Sequence, residues 1–214
     1  MSGSGILVAA AVGAALWVGA GAAFLLLLLV FFATSSALSR SLDAQSSSKT
    51  ERSGRTAVQV LANGGVATVA ALAGMAGFLP GAPFAVAGAL AAAMSDTWAT
   101  ELGTAAAWPT RLISNGQLVS PGSSGGVSWP GTAAACIASL LLGLVAAALT
   151  LDPPVLLWPA VTVPAGMFGM TIDSLIGATL EDRVAWMDNQ AVNLFGTAAG
   201  ALAGWVAAGW LGLW

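Results

Sequence analysis

The sequence predicts an all-α membrane protein, a polytopic bundle of about six or seven membrane-spanning helices. Three observations lead to this fold class. Of the 214 residues, 57% are hydrophobic and only 7% are charged, whereas a soluble domain carries about 25% charged residues. The apolar residues form long runs near the length of about 20 residues that a bilayer-spanning helix needs. The chain also contains 27 glycines, and small residues allow helices to pack closely in lipid.

The apolar runs divide residues 1–214, which we interpret as a single transmembrane domain, into successive spans. The predicted spans are residues 6–38, 57–79, 84–103, 131–150, 155–180 and 191–213. The first run is too long for one straight span, so it is either a helical hairpin that turns near Gly19–Gly21 or one long tilted helix. We expect the hairpin. The run is also too long for a signal peptide, whose apolar region covers about 7–15 residues.

Two pairs of spans predict a parallel internal repeat. The pair over residues 57–103 ends in D-T-W-A-T-E, and the pair over residues 131–181 ends in D-S-L-I-G-A-T-L-E. Each pair turns at a loop that contains proline. If both pairs cross the membrane in the same direction, Asp96 and Asp173 are equivalent positions that face each other.

The basic residues predict how the chain is oriented. All six lie in the three polar loops: Arg40, Lys49, Arg52, Arg55, Arg111 and Arg183. Alternating spans place these loops on one side, and basic loops stay in the cytoplasm. We therefore expect an integral protein of the cell inner membrane whose active site faces the cytoplasm. Tryptophans are expected at the two interfaces, with Trp108, Trp129 and Trp186 at one and Trp158, Trp210 and Trp214 at the other.

Four polar side chains enter the predicted spans to a similar depth. Asp96 and Asp173 each lie about 8 residues, or about 12 Å, from the cytoplasmic end of a helix. Asn63 and Asn193 enter two further helices from the same side. Because acids inside a membrane are costly, they usually mark a functional site. The sequence therefore predicts a polar layer to which four helices contribute.

No Lys, Arg or His lies within a predicted span, so Asp96 and Asp173 need another form of neutralisation. They are either protonated and hydrogen-bonded between helices, or they bind a divalent cation. Magnesium prefers oxygen ligands, commonly one or two carboxylates with phosphate and water. Glu181 shares a helix face with Asp173. Glu101 does not share a helix face with Asp96, and only a bend at the end of the helix would bring the two side chains together. With no His and one Cys, a zinc site and a Cys–His nucleophile are excluded.

The loop P-G-S-S-G-G-V-S-W-P-G over residues 121–131 has the composition of a phosphate site. Its glycines allow several backbone N–H groups to point at one anion. The loop also leads into a helix, whose N-terminus favours negative charge. It is not a P-loop, since G-x-x-x-x-G-K-[S/T] is absent. The candidate phosphate-binding residues of this loop are Gly122, Ser123, Ser124, Gly125, Gly126 and Ser128.

At these motifs the chain resembles a known family. Q-V-L-A-N-G-G, S-D-T-W-A-T-E-L-G, P-G-S-S-G-G-V-S followed by Gly131, and D-S-L-I-G-A-T-L-E occur in the order seen in the domain-of-unknown-function integral membrane family that includes plant phytyl-phosphate kinase. The resemblance covers nearly the whole chain. Asp96, Ala99 and Gly103 also fit the D-x-x-A-x-x-x-G pattern of CTP-dependent dolichol and phytol kinases.

The resemblance implies transfer of the γ-phosphate of CTP to an isoprenoid alcohol or isoprenoid monophosphate. CTP is then the co-substrate from the cytoplasm, the lipid acceptor enters from the bilayer, and no nucleic acid takes part. On this view Asp96 and Asp173 hold magnesium, and Glu101 or Glu181 assists catalysis or orients the acceptor. The Gly-rich loop binds the phosphates together with Asn63, Gly64, Arg111, Asn189 and Asn193. The resemblance does not fix the acceptor or the oligomeric state.

Membrane proteins of other functional classes also carry acids at this depth, so alternatives to the kinase stay open. A cation- or proton-coupled secondary transporter uses intramembrane acids and broken helices, and it predicts ion flux that depends on its substrate. A related transferase that makes CDP-activated lipids would release pyrophosphate. A membrane scaffold would explain the small residues, but not two acids aligned at one depth.

Overall fold

The computed structural model describes residues 2–45, 55–150, 156–181 and 183–214. Within these residues the chain forms seven helices: α1 (Gly3–Ala20), α2 (Ala22–Gln45), α3 (Ala57–Met75), α4 (Ala82–Ala105), α5 (Trp129–Thr150), α6 (Leu157–Thr179) and α7 (Asn189–Trp210). All except α4 are long and apolar enough to cross a membrane. The predicted fold class, a helical membrane bundle, is therefore confirmed.

The first apolar run is a helical hairpin, so the alternative of one long helix is wrong. Gly21 separates α1 from α2 with a φ of +92°, a conformation that glycine adopts at little cost. The two helices fold back on each other, since Gly13 of α1 lies against the side chains of Leu25 and Leu28 of α2. Helix α1 begins three residues before the predicted run of residues 6–38, and α2 ends seven residues beyond it.

Helix α4 lies at the centre of the bundle and packs against α5, α6 and α7. Its residues 84–95 are all buried. Glycines allow the neighbouring backbones to approach: Gly88 faces Gly200 and Gly204 of α7, and Gly169 of α6 faces Ala92. Because α4 contacts protein on most of its surface, it can carry the small and polar residues that lower its hydropathy.

Helices α4 and α6 run side by side in the same direction. Gly166 lies against Ala91, and Gly169 lies against Ala92. One turn further along, at the same end of both helices, come Asp96 and Asp173. This parallel arrangement is the geometry that the internal repeat requires, and the repeat itself stays a prediction.

The described parts of the loops predicted to be on one side lie at one end of the bundle, which we call the polar end. The backbone N–H of Ser2 donates to the carbonyl of Arg55 (3.2 Å), and Ser39 Oγ donates to Glu101 Oε1 (2.8 Å). The segments after α4 and after α6 also meet there, around one cavity. Arg40, Arg55, Arg111 and Arg183 are therefore at the polar end, while Lys49 and Arg52 lie outside the described residues. That the polar end faces the cytoplasm stays a prediction.

Five of the six predicted interface tryptophans are exposed, with exposed fractions from 46% to 90%. The sixth assignment is wrong. Trp158 is 2% exposed, and its ring packs 6.0 Å from the ring of Phe24 and 4.8 Å from that of Phe84. It lies at the start of α6, where α2 and α4 cover it, so it contributes to the core instead of contacting lipid.

The polar, Gly-rich segment between α4 and α5 contains a small antiparallel sheet with strands β1 (Thr110–Leu112), β2 (Leu118–Val119) and β3 (Gly126–Val127). The strand order is β2-β1-β3, and Arg111 pairs with Leu118 on one side and Val127 on the other. The sheet holds the Gly-rich loop against the polar end. Two-residue strands give too short an alternation to be recognised in the sequence.

Candidate functional site

The structure brings the two intramembrane acids together. Asp96 and Asp173 line the same two spaces, one on each side of them, so their carboxyl groups lie close together. Gly196 of α7 makes this contact sterically feasible, since a Cβ there would lie 2.9 Å from the Cβ of Asp173. A pair of carboxyl groups this close can share a proton or hold one cation between them.

A cavity of about 120 Å³ opens from the acid pair toward the polar end. Ten of the predicted site residues line it: Asp96, Gly122, Ser123, Ser124, Gly125, Gly126, Ser128, Asp173, Glu181 and Asn189. A water molecule needs roughly 10–15 Å³ of such volume. The cavity therefore has room for a hydrated cation and a phosphate group, but not for a whole nucleotide.

The Gly-rich loop packs directly on α6. Gly125 has a φ of +71°, and a Cβ on it would overlap the backbone of Ala178. A Cβ on Gly177 would lie 3.1 Å from the backbone nitrogen of Gly125. Glycine at both positions thus allows the loop backbone to approach the helix that carries Asp173, so that the loop and the acid pair line the same cavity.

The D-x-x-A-x-x-x-G spacing has a packing reason. A Cβ on Gly103 would lie 3.0 Å from Ser128 Oγ and 3.2 Å from the Cα of Gly131. Gly131 in turn lies against the carbonyl of Ala99. The small residues after Asp96 therefore hold the start of α5 close to α4, and Ser128 Oγ accepts the N–H of Gly131 there (3.3 Å).

Asn63 and Asn193 lie on the opposite side of the acid pair from the cavity. They line a tightly packed space deeper in the bundle, together with Asp96, Asp173 and Thr197. Asn63 Nδ2 donates to the carbonyl of Gln59 (3.1 Å). The structure therefore places the two amides behind the acids and not beside the Gly-rich loop. Gly64 is outside the cavity as well, packed against Val12 of α1.

Glu101 lies on another face of α4, where it accepts the hydrogen bond from Ser39. The guanidinium of Arg55 lies 5.4 Å from the ring centre of Phe31 and 5.3 Å from that of Phe32. Burial lowers the pKa of the Arg55 guanidinium, and the Glu101 carboxylate acts in the opposite direction. A basic side chain thus reaches between the helices from just outside a span. Sequence reasoning missed it because it counted only residues within the spans.

Arg111 is not part of the cavity either. It is exposed on strand β1, and its Nη1 donates to the carbonyl of Gly116 (2.8 Å). The structure also adds hydroxyl groups that sequence reasoning did not propose as ligands: Thr100, Thr104, Thr132 and Ser174 line the cavity. The spacing of Thr100, four residues after Asp96, was the available signal.

The described part of the cavity wall carries three carboxyl groups, from Asp96, Asp173 and Glu181, and no basic side chain. An isolated phosphate would be repelled there, whereas a cation would be attracted. The carboxyl groups offer only oxygen atoms as metal ligands, and magnesium prefers oxygen ligands. Among the described residues no group of three or more His, Cys, Asp or Glu side chains is placed to hold a metal ion. Magnesium fits this set better than zinc, because it commonly takes only one or two carboxylates and completes its shell with phosphate and water.

Comparisons with known proteins agree with the fold and the motifs. The family model described as "Integral membrane protein DUF92" matches residues 1–201. An uncharacterized membrane protein of Methanocaldococcus jannaschii is 33% identical over 86% of this chain and 76% of its own length. Protein PGR of Arabidopsis thaliana is 33% identical over 72% of this chain and 63% of its own length. The chloroplastic protein VTE6 of the same plant is 32% identical over 51% of this chain, but only 33% of its own length. No solved structure matches the chain.

Proposed function

This chain belongs to the integral membrane protein family DUF92, and from that premise we propose that it is a membrane-embedded, CTP-dependent kinase. It transfers a phosphoryl group to an isoprenoid alcohol or isoprenoid monophosphate. The family includes plant phytyl-phosphate kinase, which supports the reaction class. The observation that carries the proposal is the pair of acids, Asp96 and Asp173, facing a Gly- and Ser-rich loop inside a membrane bundle.

The acid pair and the Gly-rich loop would bind different parts of CTP, the phosphoryl donor. Asp96 and Asp173 would hold magnesium, which when bound supplies the positive charge that a polyphosphate needs. The N–H of Gly125, with the hydroxyl of Ser128, would bind phosphate oxygens at the start of α5, whereas the N–H of Gly126 already donates to the carbonyl of Ser123 (2.9 Å). Phosphoryl transfer depends mainly on positioning and on charge neutralisation, and this arrangement provides both.

The acceptor would meet the donor beside Glu181, which lines the cavity at the end of α6. For an alcohol acceptor, its oxygen forms a bond to the γ-phosphorus while the bond from that phosphorus to the oxygen of CDP breaks. The proton of the hydroxyl passes to the Glu181 carboxylate. For a monophosphate acceptor, an oxygen that is already ionised attacks, so no proton needs to pass to Glu181. The lipid chain stays in the bilayer, so product and acceptor exchange without entering water.

Purified protein with magnesium, labelled CTP and a panel of isoprenoid alcohols and monophosphates tests this proposal. We expect label in a phosphorylated lipid and the release of CDP. Release of pyrophosphate would instead indicate a transferase that makes CDP-activated lipids. The facing carboxyl groups of Asp96 and Asp173 also suit a proton- or cation-coupled transporter. Ion flux in proteoliposomes without consumption of CTP would favour that function and contradict the kinase.

The proposal requires the polar end to face the cytoplasm, where CTP is found. In a Cys136→Ala background, cysteines introduced at Ser123 and Asp188 should react with an impermeant maleimide only after the cells are opened. A cysteine at Phe78, which is 84% exposed at the opposite end, should react in intact cells. The reverse pattern, or opposite accessibility of the positions 123 and 188, would contradict this topology.

A further inference from the structure

The segment between α6 and α7 encloses a second space beside the cavity. We call it the α6–α7 depression: it has a volume of about 490 Å³ and is lined by Glu181, Arg183, Val184, Ala185, Met187, Asp188 and Asn189. Glu181 and Asn189 also line the cavity above the acids. The two spaces are therefore neighbours that share one wall.

We propose that the α6–α7 depression binds the nucleoside end of the donor nucleotide, with Arg183 contacting the phosphate nearest the ribose. This inference rests on the proposed function. Size is the first argument. The cavity of about 120 Å³ admits the cation and the phosphates at the reacting end, but not the ribose and base. The adjoining α6–α7 depression is about four times larger, and the ribose and base of the nucleotide can occupy it.

Charge is the second argument. The cavity wall carries Asp96, Asp173 and Glu181, and the depression shares Glu181 and adds Asp188. Arg183 is the one basic residue among the described residues of either wall. Its guanidinium can bind a phosphate through two parallel hydrogen bonds. A nucleoside triphosphate that extends from the acid pair to Arg183 would place its reacting phosphate at the cation and its inner phosphate at the arginine.

The depression is preformed, which is the third argument. The N–H groups of Arg183 and Val184 both donate to the carbonyl of Leu180 (3.0 Å each), and that of Met187 donates to Val184 (2.9 Å). Asp188 caps α7, since its Oδ1 accepts the N–H groups of Gln190 and Ala191. Val184 and Ala185 also line the depression, and they offer an apolar surface for a base or a ribose.

Equilibrium binding to the purified, detergent-solubilised protein with magnesium tests the inference. The probes are CTP and inorganic pyrophosphate, which lacks the nucleoside end. Arg183→Gln should raise the Kd for CTP about 10-fold, the loss expected for one hydrogen bond to a charged group, and should leave the Kd for pyrophosphate unchanged. Arg183→Lys should retain part of the CTP affinity. Arg40→Gln, which removes an exposed arginine of the polar end outside both spaces, should match the parent.

The outcomes separate this inference from the proposed function. A parent protein that binds no CTP would contradict the proposed function, and the inference falls with it. A parent that binds CTP while Arg183→Gln binds it equally well would overturn the inference alone. Equal weakening of CTP and pyrophosphate by Arg183→Gln would also overturn it, because Arg183 would then contact the reacting phosphates.

Discussion

Replacing Asp96 or Asp173 by asparagine is expected to lower turnover by at least about 1000-fold, or about 4 kcal/mol of transition-state stabilisation. The amide keeps the shape and the hydrogen bonding of the carboxyl group but removes the charge that a cation requires. Since a charge inside the membrane is costly, the variants should be at least as thermostable as the parent. Transfer of label from CTP to lipid, measured beside thermal unfolding, checks both expectations.

Glu101→Gln is the matched comparison, because it also removes one carboxylate from α4. Glu101 faces Ser39 and Arg55 instead of the cavity, so turnover per folded molecule should stay within about 3-fold of the parent. Stability should fall by about 1–3 kcal/mol, because a buried guanidinium loses its compensating charge. If the aspartate variants lose stability and keep turnover, Asp96 and Asp173 are protonated acids that bridge helices and have no catalytic role.

Gly125→Ala should remove most of the activity, about 100-fold, by displacing the loop from α6. An added Cβ would overlap the backbone of Ala178, and a left-handed residue other than glycine costs a further 1–2 kcal/mol or so. The binding of pyrophosphate with magnesium should weaken in parallel, because the loop N–H groups move away from the acids. Titration of pyrophosphate against the purified variant measures this loss directly.

Gly116→Ala is the control for backbone strain alone. Gly116 has a nearly equal φ of +74°, but no atom lies within 4 Å of a Cβ added there. The variant should lose about 1–2 kcal/mol of stability and keep its affinity for pyrophosphate. Equal loss of affinity in both variants would mean that the contact between Gly125 and α6 does not position the loop.

Most of the fold follows from the length and polarity of the apolar runs. Hydrophobicity fixes where a helix can cross a bilayer, and the break at Gly21 follows because the first run is too long for one span. Helix α4 shows the limit of this reasoning. Among the seven described helices it is the one that is not a candidate membrane span by composition, yet it lies at the centre, because small residues such as Gly88 and Ala92 pack against protein and not lipid.

The acid pair could be predicted because the depth of a residue in the membrane follows from its position along the helix. The direction in which a side chain points around the helix axis is harder to predict. Glu101 is five residues from Asp96, or about 140° around the helix, and it would reach the cavity only if the helix bent there. Helix α4 continues as a helix to Ala105, and Glu101 contacts Ser39 instead of the cavity. Arg55 escaped prediction for another reason: its position depends on how the chain enters α3 and on the rings of Phe31 and Phe32.

The most direct test of the central claim is thermal unfolding of the purified parent and of Asp96→Asn, each with and without magnesium. A cation held by the acid pair stabilises the folded parent by about 2.7 kcal/mol at 100 times its dissociation constant. It should stabilise Asp96→Asn much less, and CTP added with magnesium should widen the difference between the two proteins. Equal effects of magnesium on both would contradict the assignment of a cation to Asp96 and Asp173.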